Sequence, residues 1–175
     1  MYDRIVDKAW VKKQKFDCVK ALECLLKRDS NGNHLVEMMN DNHTQKRSSD
    51  WIDIIWASFE NAFVNAKLFH ALQLWAGIEK QLGNPKKAFY YADYAAKLKE
   101  SFNKSVRDGG FWDEDKGCYI YWRDKNNSTH GDNLVTPVNF MAIAYGICDD
   151  TARRNKVLDR IEDEMQKEKL FFWPI

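Results

Sequence analysis

Apolar residues return every three or four positions over most of this chain, a spacing that gives a helix one apolar face. In the first segment they are Ile5, Ala9, Phe16, Val19, Leu22 and Leu26. The same period predicts helices at about residues 3–28, 51–82, 85–106, 137–146 and 150–167. Gly83-Asn84-Pro85 separates the second from the third, because glycine suits the residue after a helix and proline suits a first turn. The pattern therefore predicts an antiparallel helical hairpin.

Polar and aromatic stretches interrupt the helical pattern. Residues 29–49 open with turn-forming residues and are typical of a long polar loop. Two aromatic runs surround an Asp/Lys/Gly turn between Phe111 and Trp122, which predicts a short β-hairpin. Residues 123–135 are polar again. The predicted fold class is all-α, built from helical hairpins with a small β-hairpin insert.

Alternating helix direction predicts where the connections lie. The connections 29–50 and 107–135 are two helices apart, so they should emerge at one end together with the chain beyond residue 168. The tight turn at 83–85 should lie at the opposite end. This arrangement brings several polar and aromatic residues to one face, namely Asp50, Trp51, Asp53, Trp112, His130 and Asp132.

Composition narrows the classes of partner. The chain has 175 residues, enough for one domain with a core, and it is 45% hydrophobic and 30% charged. A formal net charge of +1 argues against nucleic acid or an anionic membrane as partner, since both require a concentrated basic surface. Seven tryptophans fit a carbohydrate site, although most of them are expected in the core.

Neither a metal nor a cofactor is indicated. The four cysteines have no metal-ligand spacing, so we expect free buried thiols, and no phosphate-binding or serine-nucleophile motif is present. No signal peptide or membrane span is visible, which leaves a cytoplasmic location open, or a periplasmic or secreted one if a leader is missing. The apolar run 170–175 makes a poor free tail, so we expect the chain to be part of a larger catalytic domain.

The run from Ser48 to Asp53 is the strongest candidate for chemistry. It places Asp50 and Asp53 around Trp51, at a junction between a loop and a predicted helix. A carboxyl group beside an indole suits a sugar, because the ring packs on the pyranose while the acid protonates the glycosidic oxygen. Burial beside Trp51 and Trp56 would raise the pKa of Asp53, as a general acid requires. The run is equally typical of a helix N-terminus, with Ser49 or Asp50 as the N-cap.

Further polar residues have two interpretations each. Glu60 and Asn61 lie seven and eight positions after Asp53, so on a single helix all three would lie on the same face. Together with Asn65, these residues would either face a ligand or make buried hydrogen bonds. Asp132 and Asn139 flank Pro137 at the start of the fourth helix. They would either line a site or act as a helix cap and a hydrogen-bonded polar residue. His130 and Trp112 are candidate contacts for substrate.

The order of these motifs resembles the six-hairpin glycosidases. The matching runs are Arg28-Asp29-x-Asn31-Gly32, Ser49-Asp50-Trp51-x-Asp53, Glu60-Asn61-Ala62-x-x-Asn65-Ala66, Phe111-Trp112-Asp113-Glu114 and Gly131-Asp132-x-Leu134-x-Thr136-Pro137-x-Asn139. These are α/α-toroid enzymes related to glycogen-debranching glucosidases, trehalases and α-rhamnosidases. The resemblance covers about residues 8–175 as short, separate motifs.

The resemblance implies an inverting glycoside hydrolase with an oligosaccharide or glycoside as substrate. The Trp-x-Asp pattern of the general acid maps onto Trp51 and Asp53. Together with the positions above, the candidate substrate-binding residues are Asp50, Trp51, Trp56, Asn61, Asn65, Trp112, His130, Asp132 and Asn139. The general base is expected beyond Ile175, so residues 1–175 would form part of a toroid that needs the remainder of its own catalytic domain for activity.

A binding scaffold without catalysis is the alternative. Residues 64–98 also resemble a tetratricopeptide-like hairpin, in which Asp53 would serve only as a cap. Against it, no period of about 34 residues runs along the chain. The position of the inserts separates the two, because loops gathered over one pocket favour the glycosidase and a continuous concave groove favours the scaffold.

Overall fold

The computed structural model describes residues 7–38, 57–131 and 134–171. Within them the fold is mostly helical with a small antiparallel sheet. The helices are α1 (Lys8–Leu26), α2 (Ala62–Gln81), α3 (Pro85–Asn103), α4 (Thr136–Ala144) and α5 (Thr151–Lys167). None of these helices is both long enough and apolar enough to cross a membrane.

Local sequence signals account for several helix ends. The Asp7 carboxylate accepts hydrogen bonds from the first turn of α1, and Asp150 does the same for α5. Gly83 has φ of 79° just after α2, and Pro85 opens α3. The predicted tight turn between these two helices is therefore confirmed.

The strands are short, and together they form two antiparallel units. They are β1 (Glu60–Asn61), β2 (Trp112–Asp113), β3 (Cys118–Tyr119), β4 (Trp122–Arg123) and β5 (Thr129–His130). β2 pairs with β3, which confirms the hairpin predicted between Phe111 and Trp122. β1, β4 and β5 form a three-stranded sheet that the sequence analysis did not predict.

The core lies between the α2–α3 hairpin and the aromatic strands. α2 contributes Phe69 and Leu72, and α3 contributes Tyr91 and Leu98, all at most 2% exposed. Phe102 at the end of α3 packs edge to face on Phe111, with ring centroids 4.9 Å apart. The aromatic runs around β2, β3 and β4 therefore serve mainly to fill the core beneath the helices.

The prediction of one helix over residues 51–82 is confirmed from Ala62 to Gln81 and is wrong for the described residues before Ala62. α2 begins at Ala62, and β1 occupies the two preceding residues. The Asn61 side chain accepts a hydrogen bond from Val64 N, so this residue is the N-cap rather than part of a helical face. Glu60 and Asn61 pair with β4 instead, which removes the argument that they share a helix face with Asp53. Pairing with a distant strand overrides the local helical pattern here.

Smaller corrections concern the third helix and the cysteines. α3 ends at Asn103, because Lys104 is extended and Ser105 caps a short 3₁₀-helix at Val106–Asp108. All four thiols are free, but Cys18 and Cys24 on α1 are exposed rather than buried. Cys118 and Cys148 are buried, as expected.

Candidate functional site

The two polar connections meet at one end of the helices. Glu37, from the connection after α1, forms a bridge with Glu60, and Met38 N donates to Phe59 O at 2.6 Å. β1 then pairs with β4, which belongs to the connection after α3. We call described residues 29–38, 57–61 and 120–131 the loop-bearing end. The meeting predicted from alternating helix direction is confirmed for these residues.

The same side-chain clamp occurs in both connections. Asn65 and Asn139 are each the fourth residue of their helix, and both are fully buried. The Asn65 amide accepts from Val36 N at 2.8 Å and donates to Val36 O at 3.1 Å. The Asn139 amide accepts from Tyr119 N at 2.9 Å and donates to Tyr119 O at 3.1 Å. Each also donates to the carbonyl oxygen of the residue that precedes its helix.

These clamps reveal a repeated structural unit. Positions 65 and 139 are 74 residues apart, and each unit consists of a helix, a long connection and a second helix whose amide holds that connection. In the first unit the helices are α1 and α2, and in the second they are α3 and α4. A tight turn joins the units, so both clamped connections lie at the same end.

Glu60 is the most deeply buried carboxyl group at the loop-bearing end. It is 2% exposed, and its Oε1 accepts from Asn31 Nδ2 at 3.0 Å and from Asn33 Nδ2 at 2.6 Å. Burial raises the pKa of Glu60, while the two amide donors and the Arg123 cation act in the opposite direction. The carboxyl group therefore links the first connection to the sheet.

Arg123 supplies the positive charge beside Glu60. It is 3% exposed, and its Nε lies 3.8 Å from Glu60 Oε2. Its Nη2 donates to Gly110 O, whereas its buried Nε has no hydrogen-bond partner among the described residues. Burial lowers the pKa of Arg123, and the Glu60 carboxylate partly opposes this shift. The pair is a buried ion pair with incomplete hydrogen bonding.

Among the predicted contact residues that the structure describes, His130 is the one that remains partly accessible. Its ring stacks on Trp122 with centroids 3.9 Å apart, and its Nε2 lies 3.2 Å from Asp124 Oδ2. Burial alone would raise the pKa of Asp124, but hydrogen bonds from His130 and from the Ser128 and Asn126 amides outweigh it and lower that pKa. The imidazole is thereby fixed in orientation, with its side chain 27% exposed.

The other described candidates are buried and have structural partners. Trp112 is fully buried, packs against Tyr119 and donates its Nε1–H to Glu114. Asn61 caps α2, and Asn65 and Asn139 form the clamps already described. These contacts favour the structural interpretation that the sequence analysis left open for the three asparagines.

The remaining candidates lie outside the described residues. They are Asp50, Trp51, Asp53, Trp56 and Asp132. Within the described parts of the chain, no group of three or more His, Cys, Asp or Glu side chains could hold a metal ion.

Sequence reasoning missed the roles of Arg123 and Asp124. Both follow the alternating aromatic run that ends at Trp122, where a strand is followed by Asp-x-Asn-Asn-Ser, a typical turn sequence. The Asp124 carboxylate accepts from the amides of this turn, as that pattern indicates. No comparable local signal exists for Arg123, because its burial depends on pairing between β1 and β4.

The fold and the buried polar network define a mostly helical protein with two clamped hairpin units. A scan against models of protein families and a search of curated proteins find no match for this chain. The resemblance to six-hairpin glycosidases therefore depends on the sequence motifs.

Proposed function

We infer that this chain forms part of the catalytic domain of an inverting glycoside hydrolase of the α/α-toroid type. The observation that carries this inference is the meeting of both polar connections in the sheet β1–β4–β5. A site assembled from several loops on a rigid helical scaffold is a common arrangement for enzymes. A fixed imidazole over an indole at the same end provides a partly accessible surface suited to a sugar ring.

The repeated unit supports a toroid of helical hairpins. Each unit spans about twice the length of a tetratricopeptide repeat, and each carries a long connection at the same end. Stacked scaffold repeats use short turns and present a continuous groove. The length of these connections therefore gives the binding-scaffold alternative less support.

Asp53 is the proposed general acid. An alkoxide leaves a glycosidic carbon poorly, so the acid gives its proton to the glycosidic oxygen as that bond breaks. Asp53 precedes the described residue Ala57 by four positions, which limits the Cα separation to about 14 Å by chain length alone. Connectivity is therefore compatible with an acid near the loop-bearing end.

The second carboxylate and the rest of the pocket belong to the remainder of the proposed domain. In inversion this carboxylate activates a water on the opposite face of the sugar, roughly 6.5–9.5 Å from the acid. Of the proposed contacts within the described residues, His130 has the accessibility to touch a glycoside. The buried Asn61, Asn65, Trp112 and Asn139 would support the pocket from beneath.

Replacement of the acid tests the proposed function. The intact protein, including the remaining hairpins that the proposal requires, is assayed with aryl glycosides and disaccharides. Asp53→Asn should lower turnover of a disaccharide by about 100-fold or more, because protonation of the leaving group is lost. Near-normal turnover by this variant would remove Asp53 from the mechanism. Asp108→Asn, in the short 3₁₀-helix, is the control with the same chemical change.

A further inference from the structure

We propose that Asp124 is a positioning residue that fixes the orientation and the tautomer of His130, the described residue with which a glycoside would make contact. This inference rests on the proposed function, because that function supplies the sugar that His130 would bind. Asp124 is only 4% exposed, so it would act on the substrate through the imidazole and not by touching the sugar. The His130 side chain itself is 27% exposed.

The two carboxylate oxygens of Asp124 have separate partners. Oδ1 accepts from Asn126 N at 2.9 Å and from Ser128 N at 3.0 Å, and these bonds close the turn between β4 and β5. Oδ2 lies 3.2 Å from His130 Nε2. The turn needs an acceptor at Oδ1 alone, which asparagine would also provide. Oδ2 is therefore the oxygen that serves His130.

The rest of the hairpin also restrains His130. It lies directly opposite Trp122 in the register of β4 and β5, and the two rings are 13° from parallel. The His130 carbonyl oxygen accepts from Tyr121 N at 3.1 Å. A Cβ atom on Gly131 would lie 2.2 Å from Tyr121 Cβ, so only glycine lets the chain pass this close. A partly exposed side chain that is held at its backbone, its ring face and one ring nitrogen is preorganised for binding.

The Asp124 carboxylate determines which nitrogen of His130 carries the proton. An ionised carboxylate can only accept hydrogen bonds, and hydrogen bonding lowers the pKa of Asp124, so the group is ionised at neutral pH. Nε2 therefore donates to Oδ2, and in the neutral ring Nδ1 has the character of an acceptor. The tautomer in turn sets the hydrogen-bonding character that the imidazole offers to a sugar hydroxyl.

The tautomer can be measured without any substrate. Long-range proton–nitrogen correlation spectra of the protein with isotope-labelled histidine distinguish the two tautomers at about pH 9, where histidine is ordinarily neutral. The signals that disappear in His130→Ala identify this residue. In the wild type the proton should be on Nε2, a result that needs no variant of Asp124.

Asp124→Asn is the variant that should change the tautomer while it preserves the turn. Its Oδ1 can still accept from Asn126 N and Ser128 N, and a flipped amide would lose both of these bonds. Its Nδ2 group then faces His130 Nε2 and donates to it, so the proton of the imidazole should move to Nδ1.

Turnover of a disaccharide by the intact protein tests whether this arrangement serves the substrate. His130→Ala and Asp124→Asn should each lower kcat/KM by about 10-fold, as expected for the loss of one hydrogen bond. The double variant should lose no more than about twofold beyond His130→Ala, because Asp124 acts through the imidazole.

Asp113→Asn is the matched control. The Asp113 carboxylate accepts from Lys116 N in the turn between β2 and β3, so the variant makes the same chemical change in the other hairpin. It should leave kcat/KM within about twofold of the wild-type value and leave the His130 signals unchanged.

A changed tautomer in Asp124→Asn together with non-additive losses of kcat/KM supports the positioning role. A wild-type proton on Nδ1, an unchanged tautomer in Asp124→Asn, additive losses in the double variant, or normal kcat/KM in His130→Ala would each overturn it. The proposed function fails separately, through near-normal turnover by Asp53→Asn. In that case the spectra still decide whether Asp124 fixes the tautomer of His130.

Discussion

Replacement of Asn65 by alanine should destabilise the fold strongly although it removes only a small side chain. Asn65 is fully buried, and its amide pairs with both Val36 N and Val36 O. Val36 is itself fully buried, so Asn65→Ala leaves two backbone groups without these partners and away from bulk solvent. An unsatisfied buried group costs about 1–3 kcal/mol, which gives about 4 kcal/mol for the two.

One favourable effect reduces this loss. Alanine is a better helix former than asparagine by about 0.6 kcal/mol, so the expected net loss is about 3 kcal/mol. For a chain of this length that loss corresponds to a decrease in Tm of about 9 °C. Asn139→Ala should cause a similar loss, because its amide makes the same set of three hydrogen bonds.

Urea unfolding of this chain, followed by far-ultraviolet circular dichroism, measures both variants. Asn155→Ala on the exposed side of α5 is the control, and it should be neutral or slightly stabilising. The cost of one unsatisfied buried group is at least roughly 1 kcal/mol. If the unfolding free energies of Asn65→Ala and Asn139→Ala each lie within about 1 kcal/mol of the wild-type value, the clamps do not hold the connections. A loss at only one site would refute the equivalence of the two units.

Two further predictions concern charge at the loop-bearing end. Arg123→Met should be more destabilising at pH 7 than at pH 4, because Glu60, whose pKa is already raised by burial, ionises at pH 7 without its cation. Chemical unfolding at the two pH values tests this, and a loss of unfolding free energy that does not depend on pH would contradict it. Asp124 has a lowered pKa in the folded state, so its ionisation stabilises the fold. This stabilisation is fully present above the unfolded-state pKa of about 3.9 and is lost as the pH falls through the folded-state pKa. His130→Ala should raise the pKa of Asp124 towards its ordinary value, as measured by carboxyl-carbon NMR titration, whereas an unchanged titration would exclude the 3.2 Å contact with His130 as a cause of the shift.

Several elements follow directly from the sequence. The three- and four-residue apolar period locates the described helices, because an amphipathic helix must bury one face whatever its neighbours are. Gly83 and Pro85 define the turn between α2 and α3 through their backbone preferences alone. The hairpin of β2 and β3 follows from its aromatic runs and turn residues, and the end at which the polar connections meet follows from alternating helix direction.

Tertiary structure decides the rest. The residues before Ala62 have a helical pattern, yet Glu60 and Asn61 form a strand because β4 offers backbone partners that local propensity cannot anticipate. The same pairing buries Glu60 against Arg123, residues 63 positions apart in the chain. The sequence leaves both a ligand contact and a buried hydrogen bond open for Asn65 and Asn139, with a slight preference for the structural role at Asn139. The approach of Val36 and Tyr119 favours the buried hydrogen bond at both positions. Sequence period determines which face of a helix is buried, whereas the partners of a buried polar group depend on which distant segment packs against it.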